Sequence, residues 1–130
     1  MKIQPDRSEG VNIVTRHDAS GIWVGSTRFA TSLLVPWQGE VQRWAPAGVE
    51  QLQAGHFEQA LSLRPELVIF GSGPRHRFVA PALLRCLIEA RIGVETMDTA
   101  AACRTYNVLA SEGRAVLGAL LLDPPHGAAT

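Results

Sequence analysis

Apolar and polar residues follow two rhythms along the chain. Up to about residue 44 the apolar stretches are short, loosely alternating and broken by turn formers; beyond residue 49, helical spacing takes turns with continuous apolar runs. Residues 11–15 and 21–24 read as strands joined by the turn Asp18-Ala19-Ser20-Gly21, a hairpin. Residues 28–37 read as one strand with Phe29, Thr31, Leu33 and Val35 on one side, limited by Pro36, which cannot donate to a ladder. Residues 41–44 add a short edge strand before Ala45-Pro46-Ala47-Gly48 breaks the chain.

In the second rhythm, Val49, Leu52, Phe57, Ala60 and Leu61 predict a helix over 49–63, which Gly55 weakens by about 1 kcal/mol and kinks. Residues 67–70 are continuously apolar and bounded by breakers, as in a strand buried on both faces. A helix over 78–91 follows, with Leu83, Leu84, Leu87 and Ile88 on its apolar face and Gly93 at its end. Residues 94–97 form the next strand; Asp98 and Thr99 supply oxygens to cap a helix over 100–112, and Gly113 stops it. Residues 115–122 predict a buried strand. The polar, proline-broken start (1–9) is expected to be loosely held, and the tail 123–130 has no means of burying itself and is expected to be disordered. The fold class implied is α/β: a single domain over 1–122 with a mixed central sheet flanked by helices, preceded by a hairpin-rich N-terminal half.

Charge narrows the partners. Twelve basic and twelve acidic residues leave no net charge, so no global field draws the chain to nucleic acid. The longest apolar run is far short of the roughly 20 residues that span a bilayer, and the first residues lack the apolar core of a secretory signal. The expectation is a soluble, cytoplasmic protein, not embedded in a membrane. Cys86 and Cys103 form no CxxC pair and read as reduced thiols, and His17, His56, His76 and His126 show no metal-ligand spacing. Neither a metal nor a cofactor is expected.

The stretch best suited to a ligand is the end of the 67–70 strand. Gly71, Ser72 and Gly73 place backbone N–H groups at a strand-to-helix turn, and Arg75 and His76 add positive charge beside it, a geometry suited to an anion. If the next strand runs parallel, Thr99 lies at the same edge, with Arg104 and Asn107 three apart on the helix that follows. These eight residues form the candidate ligand site; Arg104 and Asn107 could equally tie down the backbone of neighbouring loops. Gly71 and Gly73 begin a dinucleotide fingerprint, but His76 stands where its third glycine belongs. Ser72, Thr99 and Cys103 lack the surroundings of an activated nucleophile, so no catalytic residue is assigned. Trp23, Trp37 and Trp44 offer a partner surface, although large aromatics more commonly serve the core.

Several segments together are recognisable. Pro65-Glu-Leu-Val-Ile-Phe-Gly-Ser-Gly73, Gly93-Val-Glu-Thr-Met-Asp-Thr99, Ala102-Cys-Arg-Thr-Tyr-Asn-Val-Leu109, Glu112-Gly-Arg114 and Ala119-Leu-Leu-Leu122 resemble the Mth-domain family. The likeness covers nearly the whole chain, including the strands over 21–37, and is most specific in Arg104-Thr105-Tyr106-Asn107. What the resemblance implies is a three-layer α/β domain with a mixed central sheet and no established catalytic residue. For the family's mitochondrial members it implies a non-enzymatic role as partners in assembling respiratory complex I, hence a protein client that belongs to a membrane-associated complex.

Overall fold

The computed structural model describes residues 10–123; the expectations for the first nine residues and for the tail beyond Asp123 lie outside them. The turn Asp18-Ala19-Ser20-Gly21 joins β1 (Val14–Asp18) to β2 (Gly21–Val24), and β3 (Thr27–Phe29) completes a small antiparallel sheet. The main sheet is built from β4 (Leu33–Pro36), β5 (Gln42–Arg43), β6 (Leu67–Gly71), β7 (Gly93–Met97) and β8 (Val116–Leu120), in the order β5-β4-β8-β6-β7. β6 runs parallel to both β7 and β8, whereas β4 is antiparallel to β5 and β8, so the sheet is mixed. Three helices cover it: α1 (Ala54–Leu61), α2 (Arg85–Glu89) and α3 (Thr99–Ser111).

The period of two along each strand sorts the core into two layers. Leu33, Val35, Ile69, Val116 and Leu120 face α3 and the small sheet, meeting Ile22, Ala102, Cys103 and Tyr106. Leu34, Val68, Phe70, Leu117, Ala119 and Leu121 face α1 and α2, meeting Trp44, Phe57, Ala60 and Leu87. Each fully buried side chain of this size contributes about 1.5–3 kcal/mol. β8 lies at the centre, buried at every position, which is why its sequence is apolar throughout.

Three expected elements differ. Residues 28–37 do not form one strand: a bend at 30–31 ends β3 in the small sheet and leads into β4 in the main one. The buried Ser32 makes that crossing, accepting Leu122 N–H at 2.8 Å on its hydroxyl. The helix expected over 49–63 is a 3-10 turn (Val49–Gln51) followed by α1, and the break falls at Leu52, which is extended, rather than at Gly55. There Gln53 caps α1, its N–H donating to Nδ1 of His56 at 3.0 Å. The helix expected over 78–91 shrinks to a 3-10 turn (Pro81–Leu84) and α2, because Pro81 forces an extended conformation on Ala80. Its expected apolar face is incomplete: Leu87 is buried but Ile88 is exposed. Arg91, at φ 62°, turns the chain into β7, and Gly93 begins that strand rather than ending the helix.

Candidate functional site

β6, β7 and β8 are parallel, so their carboxyl ends share one edge of the sheet, where open α/β sheets take ligands. Gly71 ends β6 beneath the first turn of α3. A Cβ there would lie 2.8 Å from Thr99 Cα and 3.1 Å from Ala102 Cβ, so only glycine lets the helix rest on the strand. Gly73 follows at φ +107°, a conformation that favours glycine.

The corner is tied by hydrogen bonds. Gly73 N–H donates to Thr99 Oγ1 and Thr99 N–H donates back to Gly73 O, both at 2.8 Å, while the Thr99 hydroxyl donates to Leu121 O at 2.8 Å. Ser72 N–H donates to Met97 O at 2.8 Å. The Ser72 hydroxyl donates to Arg75 O at 2.7 Å and accepts Arg77 N–H at 3.0 Å. Asp98 caps α3 by accepting Ala101 N–H at 2.8 Å. Both hydroxyl protons are directed at backbone carbonyls, and neither residue is arranged as a nucleophile. Burial pushes the Cys103 thiol up to about 12, against the weaker opposing charge of Arg104, so it stays protonated at neutral pH.

Beside the corner lies a cavity of about 250 Å³ between the hairpin turn (His17, Asp18, Ala19), the start of α3 (Thr99, Ala100) and residues 121–123. Its carboxylates, Asp18 and Asp123, give the lining an acidic side. The Ser20 backbone N–H and hydroxyl hold the Asp18 carboxyl below the ordinary carboxylate range, so it is ionised at neutral pH.

The structure gathers Gly71, Ser72, Gly73 and Thr99 into one bonded cluster. Arg75 and His76 lie exposed on its flank, with His76 Nε2 3.3 Å from Thr96 Oγ1 and its ring 4.7 Å from that of Phe78. Arg77 pairs with Glu50. Arg104 and Asn107 lie about 8 and 12 Å farther along the helix axis than Thr99, at 1.5 Å per residue. Arg104 is exposed, and neither residue lines the cavity. The Asn107 carboxamide acts as a strand would, accepting Val14 N–H at 2.9 Å and donating to Val14 O at 2.8 Å, which ties β1 to α3.

Tyr106, one turn from Cys103, was given no role by sequence reasoning. Its hydroxyl lies 2.8 Å from Asn12 O and 3.0 Å from Pro36 O, joining the lead into the hairpin to the end of β4. The signal available was a lone tyrosine on the buried stripe Thr99, Ala102, Cys103, Tyr106, Ala110. Of the tryptophans, Trp44 is buried and Trp37 donates to Ala110 O at 3.0 Å, closing the end of α3. Trp23 stays half-exposed on the hairpin under Arg16 and Arg28, whose guanidinium carbons lie 4.5 and 5.4 Å from the ring centre. The large apolar residues exposed among those described are Phe78, Ile88 and Val108. No helix among the described residues is long and apolar enough to cross a membrane.

Residues 14–121 match a family model described as "Protein of unknown function (DUF498/DUF598)". A cow protein named NADH dehydrogenase (ubiquinone) 1 alpha subcomplex assembly factor 3 is 35% identical over 119 residues, which cover 89% of this chain and 63% of that protein. A crystal structure from Bordetella parapertussis superposes with a TM-score of 0.83 at 37% identity, covering 88% of this chain and 98% of the other. A solution structure from Bordetella pertussis, described as a Mth938-like domain, gives 0.81 at 32% identity, covering 95% and 94%.

Proposed function

Because the chain belongs to the DUF498/DUF598 family of proteins of unknown function, we propose, from its relatives and its bonded corner together, that it is a non-enzymatic assembly factor. It holds a protein client, a subunit of a membrane-associated respiratory complex under construction, and works from the cytoplasm. The observation that carries this reading is the cow relative, named as an assembly factor, which matches across nearly the whole described fold. Supporting it, the hydroxyls of Ser72 and Thr99 and the carboxamide of Asn107 hold the scaffold together. The test is cross-linked capture with the tagged full chain from membrane and soluble fractions, alongside native gels of a deletion strain. The expected result is enrichment of one respiratory-complex subunit and a build-up of a partly assembled complex without the protein. Unchanged complexes and no specific subunit would overturn the reading.

A second reading is supported by the cavity that Gly73 and Thr99 line. In it Gly73 and Thr99 of the cavity lining, with Gly71, Ser72, Arg75 and His76 at the adjoining corner, bind a small anion, while Arg104 and Asn107, expected from the sequence to share the site, lie outside it. A ligand selective for the folded state raises stability by RT ln(1 + [L]/Kd), so a thermal-shift screen of nucleotides and phosphorylated metabolites tests it. The expected result is a shift that Arg75→Ala removes and Arg104→Ala leaves in place; a shift produced by small amines alone would assign the cavity to cations, in keeping with Asp18.

A further inference from the structure

The two edges of the main sheet are not alike. β5 closes one edge with only two residues and then turns inward at the buried Trp44. β7 forms the other edge with five residues and pairs on one side only, with β6. It contains no proline and no lysine, two devices that commonly blunt an edge. Its main-chain directions follow from one bond. Met97 O accepts from Ser72 N–H on the β6 side. Because N–H and C=O of one strand residue point the same way and alternate along the strand, Gly93, Glu95 and Met97 face β6, while Val94 and Thr96 face outward. Among the described residues no backbone partner meets those outward N–H and C=O groups.

A row of unpaired donors and acceptors specifies a strand as its occupant. The side chains decide whose strand. A closed pair of two copies must be antiparallel here. The register in which Val94 and Thr96 exchange bonds with Thr96 and Val94 of the second copy places Glu95 opposite itself, at a Cα separation of about 4.5 Å. Like charges directly opposite are destabilising. Centring the pair on Val94 or Thr96 instead runs the other residue off the end of the strand. Self-pairing is therefore disfavoured, and a basic residue is what Glu95 fits. On the opposite face of β7, Phe78 is 81% exposed, its ring tilted against that of His76, which contacts Thr96, so an apolar anchor stands beside the same edge.

We propose that the outer edge of β7 receives an extended segment of a partner protein as an added strand, with a lysine or arginine of that segment facing Glu95 and an apolar side chain packing on Phe78. This rests on the protein-client reading and names the surface the client uses.

The test measures amide exchange on the labelled full chain with two capped heptapeptides of alternating valine and threonine, one with a central lysine and one with a central glutamate. The lysine peptide slows exchange at Val94 and Thr96 by about tenfold and the glutamate peptide by much less. Glu95→Lys reverses that preference. Thr96→Pro abolishes the effect, because it removes an outward N–H while Glu95 and Met97 keep their bonds to β6. Unchanged exchange at saturating peptide, or a preference that ignores residue 95, would overturn the proposal. Capture of a respiratory subunit equally by the wild type and Thr96→Pro would overturn the edge and leave the assembly reading standing. Peptide binding at β7 with no client captured would do the reverse.

Discussion

On one face of the main sheet, α3 is fastened by side chains that reach distant backbone, whereas on the other, α1 and its neighbours are held by interlocking rings. Asn107 grips Val14, Tyr106 bridges Asn12 and Pro36, and Trp37 closes the helix end at Ala110. Opposite, Trp44 meets Phe57 and Phe70 edge-on at 5.7 and 6.2 Å, and Phe57 lies 5.9 Å from Phe70. Directional bonds fix where the small sheet sits; on the ring face, packing supplies most of the cohesion, joined by the bond from Trp44 Nε1–H to His56 O at 3.2 Å. The difference explains how three strands that share no ladder with the main sheet keep one position on it.

Deletions on the two faces should therefore fail differently. Phe57→Ala should cost about 4 kcal/mol, lowering the urea midpoint of the whole fold in one transition. Loss confined to α1 would break the comparison. Next in size is an alkaline effect on the α3 face. Burial raises the thiol of Cys103 from 9.0 to about 12 and raises the phenol of Tyr106 as well. A raised acid keeps more protons in the folded state, so its contribution is complete below the unfolded value and is lost as pH climbs from about 9 towards 12, up to about 4 kcal/mol for Cys103. Urea midpoints across that range should fall, and fall less in Cys103→Ala. Asn107→Ala should cost about 2 kcal/mol by orphaning the Val14 backbone. It should speed amide exchange in β1 and β2 while β6 and β8 stay protected; uniform loss would mean the small sheet is held by packing after all. Phe78→Ser, on an exposed side chain outside both layers, should change stability by no more than about 0.5 kcal/mol in thermal melts.

Legibility in the sequence followed the range of the interaction. The buried strands at 67–71 and 116–120 were plain because a strand covered on both faces must be apolar throughout, and the hairpin because Asp18-Ala19-Ser20-Gly21 turns locally. Alternation through Phe29, Leu33 and Val35 does persist on one side of the molecule, yet it passes from one sheet to another; the partners that hold Ser32 at the crossing, Leu122 at 90 residues away and Trp44, are not its sequence neighbours. Pro81 stands where a helix could begin, and the element does begin there, as a 3-10 turn, rather than at Phe78. At the candidate site, Gly71 and Gly73 announced a tight corner. That Thr99 would clasp Gly73, and Asn107 would hold Val14, depends on separations of 26 and 93 residues, which no local pattern records.

The position of β8 has a consequence for synthesis. This middle strand joins the β4–β5 pair to the β6–β7 pair, yet it follows both of them in the chain. As a ribosome extrudes the polypeptide, two half-sheets emerge with their inner margins exposed, and nothing can unite them until residues 116–120 clear the exit tunnel. Folding of the main sheet is thus deferred until its last strand has been made, and moving β8 ahead of β6 in a rearranged gene would let it begin earlier.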